Sequence, residues 1–302
     1  MRWHKLGRIF EPRENASWIV SHAAVPIPFH LSDDRFRIYF SSRNQFNQAQ
    51  FGYLEIDLND PTRLLACAEK PALEIGNLGN FDDSGVIGDW IVSRDGRLLL
   101  YYTGWNRGVT VPFRNAIGLA VSDNGGKTFV RSAPGPILDR SIHDPCFVSN
   151  SCVMVEDGRS RMWYISGLRW EPGDHSPRHY YHLKYAESAG GMNWQREGKV
   201  CIDFNDAGEY AISRPCVLRD SDGYRMWYSY RGQSYRIGYA ESPDGISWQR
   251  RDSLAGIDVS DSGWDAEMIE YPYVFDHNGR RYLLYNGNGY GQTGIGLAVL
   301  QQ

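Results

Sequence analysis

Long apolar runs are missing from this 302-residue sequence. No stretch of about 18 apolar residues occurs, and the opening MRWHKLGRIFEPRENASWIV carries no extended apolar core of the kind a leader needs. Cysteine is scarce: five residues (Cys67, Cys146, Cys152, Cys201, Cys216), odd in number and without a CxxC spacing, argue against a zinc site and a disulfide framework. Only five of the 32 Lys and Arg residues are lysine, and the net charge of −4 offers no overall basic field for nucleic acid or a membrane. A nucleotide-binding fingerprint, a P-loop and a Ser-His-Asp signature are also absent, and NGNGYGQTG (286–294) has glycines without a helix to follow them. These absences lead to the expectation of a soluble, reduced, cytoplasmic protein with no metal and no cofactor.

Aromatic residues are abundant, with 10 Trp, 19 Tyr and 12 Phe, a composition suited to pleated sheets and to faces that stack on sugars. They recur in a pattern. A short apolar strand, a turn with Asp or Gly and an aromatic-rich strand appear as AAVPIPFHLSDDRFRIYFSS, SGVIGDWIVSRDGRLLLYYTG, DPCFVSNSCVMVEDGRSRMWYISG, RPCVLRDSDGYRMWYSYRG and YPYVFDHNGRRYLLYNGNG. A third strand follows each (FGYLEIDL, AIGLAVSD, LKYAESAG, IGYAESPD, GIGLAVLQ), and turns such as SDNGG and SPDGI lead to a fourth opened by Phe129, Trp194 or Trp248. Alternation with Gly, Asp and Asn turns indicates antiparallel hairpins, and no segment keeps a helical period.

Anchored at Pro26, Gly85, Pro145, Pro215 and Pro272, the repeats are 59, 60, 70 and 57 residues apart, the size of a propeller blade. The expectation is a single all-β domain over 1–302, a five-bladed β-propeller. Its last repeat lacks a fourth strand. The N-terminal WHKLGRIF matches WQREGKVC and WQRRDSLA, so it is expected to complete the last blade and close the ring, leaving no free edge.

In such a ring the loops leading into the first strands share one face with those joining strands two and three. The strand 1–2 turns (RDGR, DSDGY, DHNGR) fall on the other face and carry only turn chemistry. On the first face collect Asp83, Asp144, Glu209, Glu267, Glu270, His22 and His143, with Arg43, Arg107, Arg169, Arg178, Arg214 and Arg231. Trp105 and Asn288 lie on the same loops. Carboxylates from different repeats facing one axis perturb one another, as acid–base work requires. Arginine in preference to lysine suits planar, bidentate contacts to carboxylate or phosphate.

These repeats, YAESPDGISWQR above all, resemble the five-bladed glycoside hydrolases (arabinanases, β-xylosidases, arabinofuranosidases, invertases) and their mannoside phosphorylase cousins, across essentially the whole chain. In the arabinanase and xylosidase group a blade-one Asp is the base, a blade-three Asp-Pro tunes pKa values and a blade-four Glu-Gly-Pro carries the acid. By that resemblance HDPCFV gives Asp144 the tuning role. The other motifs depart: blade one reads SHAAVP, blade four reads SRPCVL with Arg214 and, earlier, Glu209, and EYP puts Glu270 in a Glu-x-Pro arrangement one blade late. The resemblance implies a glycosidase-like enzyme with proton donors among Glu209, Glu267 and Glu270, and a base or stabiliser in Asp83 or Asp144. His22 or His143 could substitute for a missing carboxylate. A phosphorylase or glycosyl-transferring enzyme with an anionic co-substrate and a non-catalytic sugar-binding propeller remain alternatives, and the ligand is expected to be a carbohydrate, anionic in character.

Overall fold

A computed structural model describes residues 1–13, 16–174 and 176–301. The alternation read from the sequence becomes strand: the chain is all-β, 58% strand and 2% helix. No helix is long and apolar enough to cross a membrane. The one α-helical turn among the described residues, Asn288–Gly291, falls in the glycine-rich loop, where no helix was expected.

Strand β1 (Trp3–Phe10) opens the chain. Four antiparallel meanders follow. The first is β2 (Ser21–Ser32), β3 (Arg35–Arg43), β4 (Ala49–Asp57) and β5 (Asp60–Cys67). The second is β6 (Gly85–Arg94), β7 (Arg97–Arg107), β8 (Phe113–Ser122) and β9 (Val130–Arg131). The third is β10 (Phe147–Glu156), β11 (Arg159–Glu171), β12 (Arg178–Ser188) and β13 (Val200–Ile202). The fourth is β14 (Ala211–Asp220), β15 (Gly223–Arg231), β16 (Tyr235–Ser242) and β17 (Gln249–Arg250). Last come β18 (Glu270–His277), β19 (Arg280–Asn286) and β20 (Ile295–Leu300), to whose outer edge β1 adds in antiparallel register, Trp3 opposite Leu300 and Lys5 opposite Ala298. The first strands touch in turn: β2 with β6, β6 with β10, β10 with β14, β14 with β18, and β18 with β2.

A polar pin recurs in four of the five sheets. The second strand buries a tyrosine whose hydroxyl meets a carboxylate from a loop, and a cation near the sheet's outer edge completes the contact. Tyr102 meets Asp82 at 3.1 Å, with Arg131 2.6 Å from that acid. Tyr164 meets Asp144 at 3.2 Å, with Arg196 at 3.0 Å. Tyr228 meets Asp252, with Arg250 at 2.6 Å, and Tyr285 meets Asp265 at 3.1 Å, with Lys5 at 2.7 Å. The cations lie two residues after an aromatic, in FVR, WQR, WQR and WHK, so one signature writes both the packing ring and the charge. The facing third strand must make room. Gly118 and Gly238 lie opposite Tyr102 and Tyr228, and a Cβ on either would come within 2.4 or 2.5 Å of the ring. The first sheet does without the pin: Phe40 replaces the tyrosine and Trp18 stacks on it at 5.2 Å.

The first strands are not regular. Each breaks its ladder within the strand, β18 directly after its first residue, and four carry a residue at positive φ there: Val25 (58°), Asn150 (34°), Arg214 (50°) and Tyr271 (54°). In β6 the break falls at Asp89, between Gly88 and Trp90. A bulge re-aims a side chain, and non-glycine residues at positive φ persist only where their surroundings enforce them. Pro26, Pro215 and Pro272 directly follow the bulge. Gly85 and Pro145 do not: they stand at or before the start of β6 and β10, and the bulge comes four to five residues later. The anchors chosen from sequence were therefore not equivalent, and this offset governs which acids reach the interior.

Removing residues 1–12 strips β20 of its partner, takes the buried Trp3, Ile9 and Phe10 out of the core, and leaves buried Asp265 without Lys5. The expected cost is about 3 kcal/mol or more, that of losing one buried large aromatic. A truncated protein melting within a degree of the full chain would show that β1 contributes nothing to the last sheet.

Candidate functional site

The residues just before the five bulges form one layer. Ala24, Ile87, Ser149 and Ser213 line a cavity of about 480 Å³, within the usual range for small-molecule sites of about 300–1,000 Å³. The fifth position of that layer is Glu270, opposite Asn286 on β19. Beneath it the axis is closed by aromatic and cationic groups. Trp90 and Tyr273 stack at 4.3 Å, and the fully buried Arg214 guanidinium lies 5.8 and 5.5 Å from their rings. Arg214 donates to the carbonyls of Asp89 and of Pro26, the latter at 3.2 Å, and so ties three first strands together.

The walls mix rings, cations and amides. Trp105 and Phe113 face each other at 4.1 Å on one side; Tyr181, Tyr235, Tyr271 and Tyr290 make the other. The Tyr181 and Tyr235 hydroxyls are hydrogen-bonded to each other. Arg43, Arg107 and Arg231 line the cavity, and none has a carboxylate within ion-pair distance among the described residues. Arg231 gives one N–H to Tyr290 at 2.6 Å, whereas its Nε is buried with no partner. Burial works against its charge, but the surrounding tyrosines outweigh that and raise its pKa. His22 and His179 are both neutral at pH 7: burial first, then Arg43 beside one and Arg231 beside the other, pull their pKa values down to about 4.

Among the described residues no carboxylate lines the cavity wall. The acids expected there divide sharply. Asp144 is fully buried and spent in its pin, held also by Ser141 at 2.9 Å. Glu209 is clamped by both Arg250 amino groups at 2.7 and 2.9 Å and by the Asn205 N–H. Asp83 accepts from the Gly79 N–H, the Ser84 hydroxyl and the Asn106 amide; burial pushes its pKa up, but those bonds prevail and it is lowered. All three precede their bulge by five or six residues, which leaves them under the loops rather than on the axis. Glu270 differs. It has no solvent exposure, neither carboxyl oxygen has a hydrogen-bond partner, and burial raises its pKa well above the usual carboxylate range, with Arg231 pulling back. It also acts electrostatically on Tyr181, Tyr235 and Tyr271, which puts it beside the tyrosine wall.

Of the other expected binding residues, His22, Arg43, Trp105, Arg107 and Arg231 line the cavity. His143, Arg169, Arg214, Glu267 and Asn288 do not. Arg169 is an exposed partner of Glu171, Glu267 is exposed, and Asn288 accepts the Glu267 and Met268 N–H groups in its own loop. The His143 carbonyl accepts from the Lys184 ammonium, and Arg214 serves the axis below. Sequence reasoning missed His179, Asn115, Ser213 and the four tyrosines, because in strand they read as ordinary alternation. Several buried polar atoms here lack partners: Asn115 Oδ1, Ser213 Oγ, Arg231 Nε and both Glu270 oxygens. Such atoms are costly unless something polar meets them.

Two uncharacterized proteins of Mycobacterium tuberculosis, MT1551 from strain CDC 1551 and Rv1502 from strain H37Rv, are each 45% identical to this chain over 302 residues, covering all of both partners. The chain belongs to their family. No family model matches it. Among solved structures it shares the fold of a glycoside hydrolase at a TM-score of 0.78 and 18% identity, over 99% of this chain and 92% of that one. It is likewise similar, at 0.71 and 15%, over 99% and 93%, to a protein of the GH130 family of mannoside phosphorylases, which contains glycoside hydrolases that target β-1,2 mannosidic linkages in Candida mannan. The fold is that of the glycoside hydrolase superfamily.

The two histidines give the site a signature in stability. Between pH of about 4, where they titrate folded, and 6.5, their ordinary value, the unfolded chain binds protons at His22 and His179 that the folded chain refuses. Stability should therefore fall as pH drops through that window. The double variant H22N/H179F, with Asn suited to the positive φ of His22, should melt with a visibly shallower acid slope than the parent. Parallel slopes would mean the rings are protonated in the fold.

Proposed function

We propose that the chain is a single five-bladed β-propeller, closed by its N-terminal strand, whose axial pocket cleaves or forms a glycosidic bond with an anion as co-substrate. Glu270 is the proton donor, and Arg43, Arg107 and Arg231 hold the anion. The observation that carries the reading is that arginines without a carboxylate partner line the cavity, while Glu270, a carboxyl with no hydrogen-bond partner, is buried directly behind its tyrosine wall.

A two-carboxylate glycosidase needs acids about 5–5.5 Å apart for retention or about 6.5–9.5 Å for inversion. Asp83, Asp144 and Glu209 are engaged elsewhere, so only Glu270 is at hand. One acid suffices if the nucleophile is brought in. A phosphate dianion seated on the arginines attacks the anomeric carbon, the C–O bond to the leaving sugar breaks, and the Glu270 proton passes to the departing oxygen. A sugar 1-phosphate and a free hydroxyl result. Trp105 and Phe113 supply a stacking face for the ring. Sugar phosphates place such an enzyme in the cytoplasm. Support for a carbohydrate substrate comes from the fold shared with glycoside hydrolases and mannoside phosphorylases.

The test is a panel of glycosides with and without inorganic phosphate, read as sugar 1-phosphate. E270Q should lose about 10²–10⁴-fold in kcat, the usual worth of a general acid, yet still bind phosphate. R231Q should weaken phosphate by about 1.5–3 kcal/mol and leave neutral sugars nearly untouched. Turnover independent of phosphate would turn the reading to hydrolysis; full activity in E270Q would remove the acid assigned here.

A further inference from the structure

Three aliphatic residues are almost wholly in solvent, and all belong to the pocket face. Leu78 is 98% exposed, in the loop leading into β6, Val109 is 104% exposed between the lining residues Gly108 and Pro112, and Ile142 is 93% exposed in the turn before β10. Phe46, 67% exposed and next to the lining residue Asn47, extends the arc onto the first sheet. Elsewhere the exposed large apolar side chains are Met1, Leu64, Leu65, Val130, Val155, Met192 and Leu254, and of these Val130 alone exceeds 45% exposure. Scattered exposed leucines are ordinary, but four loop tips of one rim, each baring an apolar side chain, form a surface with a use.

Charge identifies the occupant. Arg107, Arg114 and Arg140 are exposed on the same arc, and among the described residues none has a carboxylate within ion-pair distance. Arg114 and Arg140 both act on the Cys146 thiol, so they share one neighbourhood. Cations interleaved with fully exposed aliphatic tips fit an interface of anionic head groups over hydrocarbon, where the tips leave water and the guanidinium groups meet phosphate. A second copy of the chain would bring the same unpaired arginines against themselves. The net charge of −4 is that of the whole molecule; on this arc Arg107, Arg114 and Arg140 stand against Asp83 and Asp139. We infer that the rim from Phe46 to Ile142 docks on an anionic lipid surface, so that the pocket opens onto the head-group layer. The inference is independent of which bond the pocket acts on.

Sedimentation of the full chain with phosphatidylglycerol/phosphatidylcholine vesicles tests it. The protein should pellet with these vesicles at low salt, be released at high salt, and stay in solution with phosphatidylcholine alone. L78S/V109S/I142S, three substitutions at solvent-exposed positions, should lower the bound fraction about tenfold, and R114Q/R140Q should do the same at low salt. Phosphate binding measured by calorimetry on L78S/V109S/I142S should match the parent, which separates this surface from the pocket; R231Q should still pellet. A parent protein that ignores anionic vesicles would overturn the inference. So would a parent dimer that L78S/V109S/I142S dissociates, since the face would then belong to a second copy.

Discussion

The buried hydroxyl–carboxylate–cation pin is the contact on which the arrangement of this chain depends. It joins the second strand of a sheet to the loop leading into or out of that sheet and to a cation at the sheet's outer edge, three segments distant in sequence. Each member needs the others: an acid as buried as Asp82, Asp144 or Asp265 would be costly without its cation, and breaking such a pair by removing one partner costs about 3–5 kcal/mol. The tyrosine hydroxyl in turn has no water to turn to. Because Lys5 supplies the cation of the last sheet, the same pin draws the N-terminal strand onto β20, and the two ends of the chain are joined by chemistry already used three times inside it.

The pin also explains why the acids misled. The repeats, their four-strand size and the role of WHKLGRIF were legible because packing rings and turns recur in register. The site was legible only in part. Asp144 looks like a motif acid in HDPCFV, and Pro145 looks equivalent to Pro215, but β10 runs on to Asn150 before it bulges. A shift of a few residues exchanges an axial position for a loop position. Glu270 was recognisable because EYP puts acid, bulge and proline in succession, the order that SRP follows with Ser213 and Arg214. The tyrosines were hidden for a different reason: in a chain with 19 of them, those that face a cavity and those that pack a core obey one alternation.

What the bulges create is a layer of five side chains, four of them small or aliphatic and facing the cavity, and one a carboxyl group buried behind its wall. That asymmetry matters. Ala24, Ile87, Ser149 and Ser213 leave room, whereas Glu270 brings a proton that burial keeps in place, behind tyrosines that keep water away. The basic side chains stand opposite in character. With His22 and His179 held neutral by burial, the positive charge of the cavity rests on arginines, which do not titrate in the working range. A site built so keeps its affinity for an anion across neutral pH, and any pH dependence there must come from the ligand or from Glu270.

The absence of wall carboxylates then becomes a statement about chemistry. Carboxylates in the wall would draw Arg43, Arg107 and Arg231 into ion pairs and, on the function proposed above, would repel the anion those arginines hold. Spending the acids in pins keeps the guanidinium groups free. The same fold can thus serve hydrolysis, where two acids flank water, or anion-assisted transfer, where one acid faces a bound nucleophile, and the choice is made by where each carboxylate falls relative to its bulge. In this chain every loop acid but one falls short of it.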